Sequence, residues 1–182
     1  LHRQGFVHRD LKPGNVLFHL GLVKVLDFGL SVAADQKSGI VGTLTYIAPE
    51  VLDEQPAGTA ADLYAVGVMA YEMLTGAPPF RHRSPNQVLI SILRETPDLG
   101  AVGDARLARV VGWLPSPNPA DRPDDAQEVI GALAEDFGDM IPPESLTVRE
   151  SLIRSARFIG RETEIAALKT ALSEAQNGHS AL

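Results

Sequence analysis

Cysteine is missing from all 182 residues of the sequence. Disulfide bonds, thiol catalysis and cysteine metal ligands are therefore excluded, and we expect a cytoplasmic setting. Long apolar runs are missing as well. The longest, around residues 63–71, is about half of the ~20 residues that a membrane-spanning helix needs. We therefore expect no membrane span in this segment.

Basic residues are in the minority, with 16 Lys and Arg against 23 Asp and Glu and a formal net charge of −7. No basic stripe is present, so the composition argues against nucleic acid as a partner. The five histidines include no pair at the spacing of metal ligands on a helix. With 45% apolar and 21% charged residues, the chain is typical of a globular protein with a sizeable core.

Three short blocks of sequence carry most of the information about function. Residues 8–15 read His-Arg-Asp-Leu-Lys-Pro-Gly-Asn, followed by Asp27-Phe28-Gly29 and then Ala48-Pro49-Glu50. Gly29 frees the backbone to turn sharply after the second block. A chance match to five fixed residues is about 3 × 10⁻⁷ per starting point, at roughly 1 in 20 per position. The five fixed residues of the first block are His8, Arg9, Asp10, Lys12 and Asn15.

The residues between the first two blocks predict a β-hairpin. Two β-prone runs, 16–18 and 22–26, are separated by His19-Leu20-Gly21. In a hairpin, the beginning of the first strand and the end of the second lie together at the open end, opposite the turn. We therefore expect Asn15 and Asp27 to lie together, as two oxygen ligands of one metal cluster require.

The three blocks, in this order, resemble the larger, C-terminal lobe of a protein kinase, a mainly α-helical structure with a short β-hairpin. The resemblance implies phosphoryl transfer from Mg-ATP to serine or threonine hydroxyls of a protein substrate. Asp10 would orient the acceptor hydroxyl and take its proton, and Lys12 would contact the γ-phosphate. Asn15 and Asp27 would bind Mg²⁺ beside the nucleotide. Lys12, two residues after Asp10, is typical of the serine/threonine branch.

Residues 30–47 lack a helical or strand period and resemble a kinase activation segment. The resemblance implies that Thr43 helps to shape the acceptor pocket. Arg9 is typical of kinases in which phosphorylation organises this segment, because a guanidinium pairs with a phosphate. Ser38 is the best-placed hydroxyl for that phosphate, with Thr43 and Thr45 as rivals.

Apolar residues at helical spacing predict four helices in the rest of this lobe. Thr59-Ala60-Ala61-Asp62 has the form of a capping box, and Gly76 would end that helix. Ser84-Pro85 and Asp104 would begin the next two helices, and the fourth would follow residues 118–123.

Two residues of this helical part acquire roles from the resemblance. Asp62 would brace the backbone of the His8-Arg9-Asp10 turn, in which His8 belongs to the catalytic loop. A second interpretation, that Asp62 only caps its helix, stays open. Arg122 would form a buried ion pair with Glu50 and so fasten the activation segment to the helices. An arginine before a proline is otherwise most often a surface residue.

Features of the N-terminal lobe of a kinase are missing from the sequence. No Gly-x-Gly occurs, and the four lysines (12, 24, 37 and 169) have other contexts. We expect residues 1–137 to be a kinase C-terminal lobe without its N-terminal lobe, a fragment that alone transfers little phosphate. Residues 138–157 predict a linker. Residues 158–182 begin Phe-Ile-Gly-Arg-Glu and resemble the opening of an AAA-like ATPase module, with an ordinary C-terminal helix as the alternative.

Three functions remain open from the sequence. The first is a serine/threonine kinase in the intact parent, which uses ATP and Mg²⁺. The second is a non-catalytic pseudokinase or scaffold, although competent residues stand at all four chemical positions. The third is a regulatory input to a C-terminal ATPase, which a phosphate-binding loop just after residue 182 would support.

Overall fold

Five α-helices carry most of the regular structure in the residues that the computed structural model describes, which are 1–27, 44–81 and 84–138. A two-stranded sheet and four 3₁₀ helices accompany them, so the predicted helix-rich fold with a short β-hairpin is confirmed. None of the described helices is long and apolar enough to cross a membrane. The α-helices are α1 (Pro49–Leu52), α2 (Thr59–Thr75), α3 (Pro85–Arg94), α4 (Ala105–Trp113) and α5 (Ala126–Phe137). The strands are β1 (Val16–His19) and β2 (Leu22–Val25), and the 3₁₀ helices are His2–Gln4, Pro13–Asn15, Leu99–Val102 and Pro119–Asp121.

The predicted hairpin is present, with β1 and β2 antiparallel and Val16 opposite Val25. Its two turn residues, Leu20 and Gly21, have φ of 51° and 77°. Positive φ at both positions is typical of the tight turns whose twist matches that of the flanking strands. The turn therefore fixes the register that brings the outer ends of the two strands together.

Helix α2 is the central element of the core, as its nearly continuous apolar sequence predicts. It ends at Gly76, which has a φ of 77° and donates its N–H to the Glu72 carbonyl at 2.8 Å. The predicted stop is therefore confirmed, because glycine adopts this left-handed conformation without a Cβ clash. The buried residues of α2 are Ala61, Asp62, Leu63, Tyr64, Ala65, Gly67, Val68 and Tyr71.

The predicted capping box at the beginning of α2 is wrong. The N-cap residue is Gly58, which has no side chain, and Thr59 already lies inside the helix. The reason is that the Asp62 carboxylate is used elsewhere: it accepts hydrogen bonds from backbone N–H groups of residues 8 and 9. The interpretation that Asp62 only caps its helix is therefore excluded.

Three groups of buried side chains surround α2. The first lies between α2, the start of α1 and α3. The second lies between α2, α4 and α5, and the third between α2, α4 and the 3₁₀ helix Leu99–Val102. Gly67 allows the closest approach. A Cβ at this position would lie 2.5 Å from the Leu114 Cβ and 2.8 Å from the Pro115 Cδ. No side chain fits there, so glycine lets the end of α4 pack directly on the α2 backbone.

The remaining helices begin at polar residues, largely where the sequence predicts. Ser84 precedes α3 and Asp104 precedes α4, and the Asp104 carboxylate accepts the N–H of Arg106 at 2.8 Å. Helix α5 begins after Asp125, whose carboxylate accepts the N–H of Gln127 at 2.7 Å. The sequence predicts this fourth helix but not its capping residue.

Candidate active site

Asp10, Lys12 and Asn15 lie together on the loop that leads into β1. The Lys12 Nζ donates to both carboxylate oxygens of Asp10, at 3.1 Å to Oδ1 and 2.8 Å to Oδ2. The Asn15 Nδ2 donates to the Asp10 carbonyl at 2.8 Å and to its Oδ2 at 3.1 Å. The Asp10 and Lys12 side chains remain 33% and 31% exposed, so the hydrogen-bonded cluster is accessible from solvent.

Asn15 and Asp27 both lie at the open end of the hairpin, as predicted. The N–H of Leu26 donates to the Asn15 carbonyl at 2.8 Å, which extends the strand pairing by one residue beyond Val16 and Val25. Asp27 follows directly, is exposed, and has a φ of 55°. A positive φ is uncommon for a residue other than glycine, and such residues cluster at functional sites.

His8 joins the loop that carries Asp10 to the end of the hairpin. Its Nδ1 accepts the N–H of Asp10 at 3.3 Å, and its Nε2 lies 2.9 Å from the Leu26 carbonyl oxygen. Because a carbonyl oxygen only accepts, Nε2 carries the proton. The His8 ring is fully buried, so this pair of contacts holds Asp10 and the residue before Asp27 at a fixed separation.

Asp62 on α2 braces the turn that carries Asp10. Its Oδ2 accepts the His8 N–H at 2.7 Å and its Oδ1 accepts the Arg9 N–H at 2.8 Å. Arg9 has a φ of 71°, so these bonds stabilise an unfavourable backbone conformation. Burial raises the pKa of Asp62, but hydrogen bonds from His2, His8 and Arg9 outweigh burial and hold that pKa below its usual range. The carboxylate is therefore ionised near neutral pH.

Arg122 and Glu50 form the predicted pair in the core. Two parallel hydrogen bonds join them, of 2.7 Å from Nη1 to Oε1 and 2.8 Å from Nη2 to Oε2. The Arg122 side chain is 0% exposed and that of Glu50 is 9% exposed. Arg122 also donates to three backbone carbonyls, those of Ala60 (2.9 Å), Ser116 (2.7 Å) and Pro117 (3.2 Å). All five N–H groups of the guanidinium are thereby used.

A second contact joins the segment before Glu50 to α2. The Tyr46 hydroxyl donates to the Glu72 Oε2. Burial and this acidic neighbour raise the pKa of Tyr46 well above its usual range. Tyr46 therefore remains a donor at physiological pH and holds its chain segment to the helix.

Tyr64 offers a test of how the core around Arg122 is packed. The Arg122 guanidinium lies 5.0 Å from the centre of the Tyr64 ring, and the Tyr64 hydroxyl is buried with no hydrogen-bond partner among the described residues. Removing an unsatisfied buried hydroxyl relieves a desolvation cost of about 1–3 kcal/mol and leaves a small void. We expect Tyr64→Phe to leave the free energy of unfolding unchanged or raise it by about 1 kcal/mol, measured by urea unfolding. A loss above about 1 kcal/mol would show that the hydroxyl has a partner.

Three predicted site residues, Gly29, Ser38 and Thr43, lie outside the described residues. Sequence reasoning missed three contacts of the site: His2 with Asp62, Tyr64 beneath Arg122, and Tyr46 with Glu72. The partners in these contacts are far apart in the chain, so no local pattern could have indicated them.

The residues that would bind a metal carry the oxygen ligands that Mg²⁺ prefers. Both N–H groups of the Asn15 amide are used on Asp10, which leaves its Oδ1 as the atom for a cation. Asp27 supplies a carboxylate at the same end of the hairpin. In the described part of the chain, no group of three or more His, Asp or Glu residues forms a metal site by itself. The pair therefore fits an ion that takes its remaining ligands from phosphate and water.

The family described as "Protein kinase domain" matches residues 1–136. The chain is 35% identical over 148 residues to a probable serine/threonine-protein kinase of Corynebacterium efficiens, covering 72% of this chain and 22% of that protein. It is equally similar to the probable serine/threonine-protein kinase PknB of Corynebacterium glutamicum (35% over 148 residues, 72% and 23%). It is 36% identical over 144 residues to the probable serine/threonine-protein kinase pknA2 of Bifidobacterium longum (74% and 19%).

The chain thus spans roughly a fifth of the length of these curated relatives, with shares of 22%, 23% and 19%. The activity in the names of these relatives is that of whole proteins, which are several times longer than this chain.

Proposed function

The chain belongs to the protein kinase family, and from that premise we propose that the protein transfers the γ-phosphoryl group of ATP to serine or threonine hydroxyls of a protein substrate. The observation that carries the proposal is the Asp10 carboxylate, held by Lys12 and Asn15 on a braced and partly exposed turn. An ion pair between partly exposed side chains contributes only ~0–1 kcal/mol to stability, so a purely structural role does not account for this arrangement.

Asp10 is the proposed proton acceptor. The acceptor hydroxyl donates a hydrogen bond to its carboxylate, and the hydroxyl oxygen forms a bond to the γ-phosphorus. The bond from that phosphorus to the oxygen bridging it to the β-phosphate breaks, ADP leaves, and the hydroxyl proton passes to Asp10. Lys12 lies beside Asp10 and supplies a positive charge to the phosphate oxygens that gain negative charge in the transition state.

Asn15 and Asp27 are the proposed ligands of Mg²⁺. The ion neutralises the phosphate oxygens of the nucleotide when it is bound. The chain's own contribution is to hold both residues at the open end of the hairpin, through the hydrogen bond from the Leu26 N–H to the Asn15 carbonyl. His8 supports the same arrangement through the Leu26 carbonyl.

The remaining assignments extend this proposal to the rest of the chain. We assign residues 1–137 to the C-terminal lobe of the kinase, 138–157 to a linker and 158–182 to the opening of an AAA-like module. Ser38 is assigned as the phosphorylated residue that pairs with Arg9, and Thr43 as part of the acceptor pocket. A cytoplasmic location fits a reaction that consumes Mg-ATP.

Lys12→Met tests the proposal in the longest protein that the gene encodes. The wild type is expected to label a basic protein substrate from radioactive ATP, with phosphoserine and phosphothreonine in the hydrolysate. Methionine keeps the length of the side chain but removes its charge, so we expect kcat to fall by about 10²- to 10³-fold.

Lys24→Met is the matched control, since Lys24 is exposed on β2 and its loss is expected to leave kcat unchanged. A wild type that binds ATP but transfers no phosphate would overturn the proposal in favour of a pseudokinase. Equal losses in the two variants would show that Lys12 has no special role.

A further inference from the structure

The last turn of α5 is joined to α4 by charged side chains, whereas the rest of α5 is held by apolar packing. Val129, Ala132 and Leu133 pack against the apolar residues of α2 and α4. The four residues that follow, 134–137, read Ala-Glu-Asp-Phe and contribute no buried side chain. The core therefore holds α5 as far as Leu133, and its last turn depends on other contacts.

The sequence of this last turn does not stabilise a helix end by itself. Its two charged residues, Glu135 and Asp136, are acidic, and the helix dipole disfavours carboxylates at the C-terminal end. Gly138 follows with a φ of −49° and a ψ of −41°, unlike Gly76, which ends α2 in the left-handed conformation. Stabilisation of the last turn therefore has to come from outside α5.

Two arginines of α4 supply that stabilisation. The Arg109 Nη2 donates to the Asp136 Oδ2 at 2.7 Å and lies 3.5 Å from the Ala132 carbonyl oxygen. The Arg106 Nη1 lies 3.5 Å from the Asp136 carbonyl oxygen, and its guanidinium carbon is 4.3 Å from the centre of the Phe137 ring. Cations at this end of a helix interact favourably with its dipole, and a guanidinium over an aromatic ring adds a cation–π attraction.

Asp104 orients Arg106 for its contact with Phe137. The Asp104 Oδ2 accepts from the Arg106 Nη2 at 2.8 Å, and its Oδ1 accepts from Nε at 3.3 Å. Oδ1 also accepts the backbone N–H of Arg106 at 2.8 Å, which caps α4. One carboxylate thus begins α4 and holds the guanidinium that covers the end of α5.

The charged groups of this contact are accessible to water and dissolved ions. The Arg106 and Arg109 side chains are 52% and 54% exposed, and those of Asp104 and Asp136 are 35% and 27% exposed. Salt screens such charges over a distance of about 10 Å at 0.1 M and about 3 Å at 1 M. Anions in solution can therefore compete with α5 for the two guanidinium groups, whereas the apolar contacts of α5 do not depend on charge.

We propose that residues 134–137 form an ion-sensitive latch, which Arg106 and Arg109 hold closed and which anions open by competing for the two guanidinium groups. Opening the latch unwinds these four residues while the apolar contacts keep the rest of α5 in place. An apolar contact could not respond to ions in this way. The latch does not depend on phosphotransfer, because none of its residues belongs to the proposed active site.

Hydrogen–deuterium exchange followed by mass spectrometry tests the latch in the longest protein that the gene encodes, at 0.05 M and 1 M NaCl. We expect the amides of residues 134–137 in the wild type to exchange about fivefold faster at 1 M, with peptides from α2 unchanged. The double variant Arg106→Gln with Arg109→Gln removes both cations. Its residues 134–137 should exchange at the faster rate at both salt concentrations.

The double variant Lys24→Gln with Arg94→Gln is the matched control. It removes two positive charges from exposed positions on β2 and at the end of α3, outside the latch. It should therefore exchange like the wild type at both salt concentrations.

The salt series also tests the latch in the wild type alone, without any substitution. Equal exchange of residues 134–137 at both salt concentrations would overturn the proposal. The same salt response in the double arginine variant and the wild type would overturn it too, because the arginines would then not be the groups that salt screens. Faster exchange that extends to α2 in wild type at 1 M NaCl would show general destabilisation instead of a latch.

Discussion

Asp10→Asn is expected to lower kcat for phosphotransfer by roughly 10²- to 10⁴-fold, the usual contribution of a general base. The amide has the size of the carboxylate but cannot take a proton at neutral pH. The contact from the Asn15 Nδ2 to the carbonyl of residue 10, at 2.8 Å, involves the backbone and should survive. KM for ATP should change little, because the nucleotide is bound by other groups. Initial rates at varied ATP and protein substrate, in the longest encoded protein, measure both quantities.

Stability provides the first control for that experiment. The Asp10 and Lys12 side chains are each about a third exposed, at 33% and 31%, so losing their ion pair should cost ~1 kcal/mol or less. Urea unfolding of Asp10→Asn should therefore resemble that of the wild type. A large loss of stability would mean that Asp10 is needed mainly for the structure of the loop.

Asp53→Asn is the matched control, since this exposed aspartate follows α1 and lies outside the proposed site. Its kcat should equal that of the wild type. Near-normal phosphotransfer by Asp10→Asn would contradict the role of Asp10, whereas an inactive wild type would contradict the kinase proposal as a whole.

The hairpin and most helix ends could be predicted because their signals are local. Runs of β-prone residues on both sides of the turn at Leu20-Gly21 specify β1 and β2, and Gly76 ends α2 within one turn of its last apolar residue. The carboxylate of Asp104 reaches backbone N–H groups two and three residues ahead. Contacts over such short separations leave a pattern in the sequence.

Contacts that assemble the site left no such pattern. Asp62 offered a local explanation as half of a capping box with Thr59, but the partners of its carboxylate are 53 to 60 residues away. The pair of Tyr46 and Glu72 spans 26 residues between a loop and a helix. Only the resemblance to a kinase suggested what Asp62 does, and it suggested nothing about His2. Propensity and periodicity describe single elements, whereas tertiary packing selects which polar groups meet.

Arg122→Met is the second change with a large expected effect, a loss of about 3–5 kcal/mol in the free energy of unfolding. Methionine fills much of the volume but leaves the Glu50 carboxylate buried without a cation. It also leaves the carbonyls of Ala60, Ser116 and Pro117 without the donors that Arg122 provides. Urea unfolding of the 182-residue chain measures the loss. A cost below about 1.5 kcal/mol would show that the pair does not anchor the core.

Arg122→Lys distinguishes the charge from the geometry of the guanidinium. An ammonium keeps the positive charge beside Glu50 but has three N–H donors, against the five that Arg122 uses. At least two acceptors would lose their partner, so lysine should recover only part of the stability that methionine loses. Full recovery would mean that charge alone matters at this position.

The double variant Glu50→Met with Arg122→Met separates the ion pair from the carbonyl contacts. Replacing a buried pair by apolar side chains is often neutral or stabilising, because neither charge then has to be desolvated. Here the three backbone carbonyls would still lack the hydrogen bonds that Arg122 donates, at a cost of about 1–3 kcal/mol for each carbonyl that no other donor or water reaches. We therefore expect the double variant to be more stable than Arg122→Met but less stable than the wild type. Recovery to wild-type stability would assign the whole effect to the unpaired Glu50, and no recovery would assign it to the carbonyl contacts that join the 116–117 loop to the start of α2.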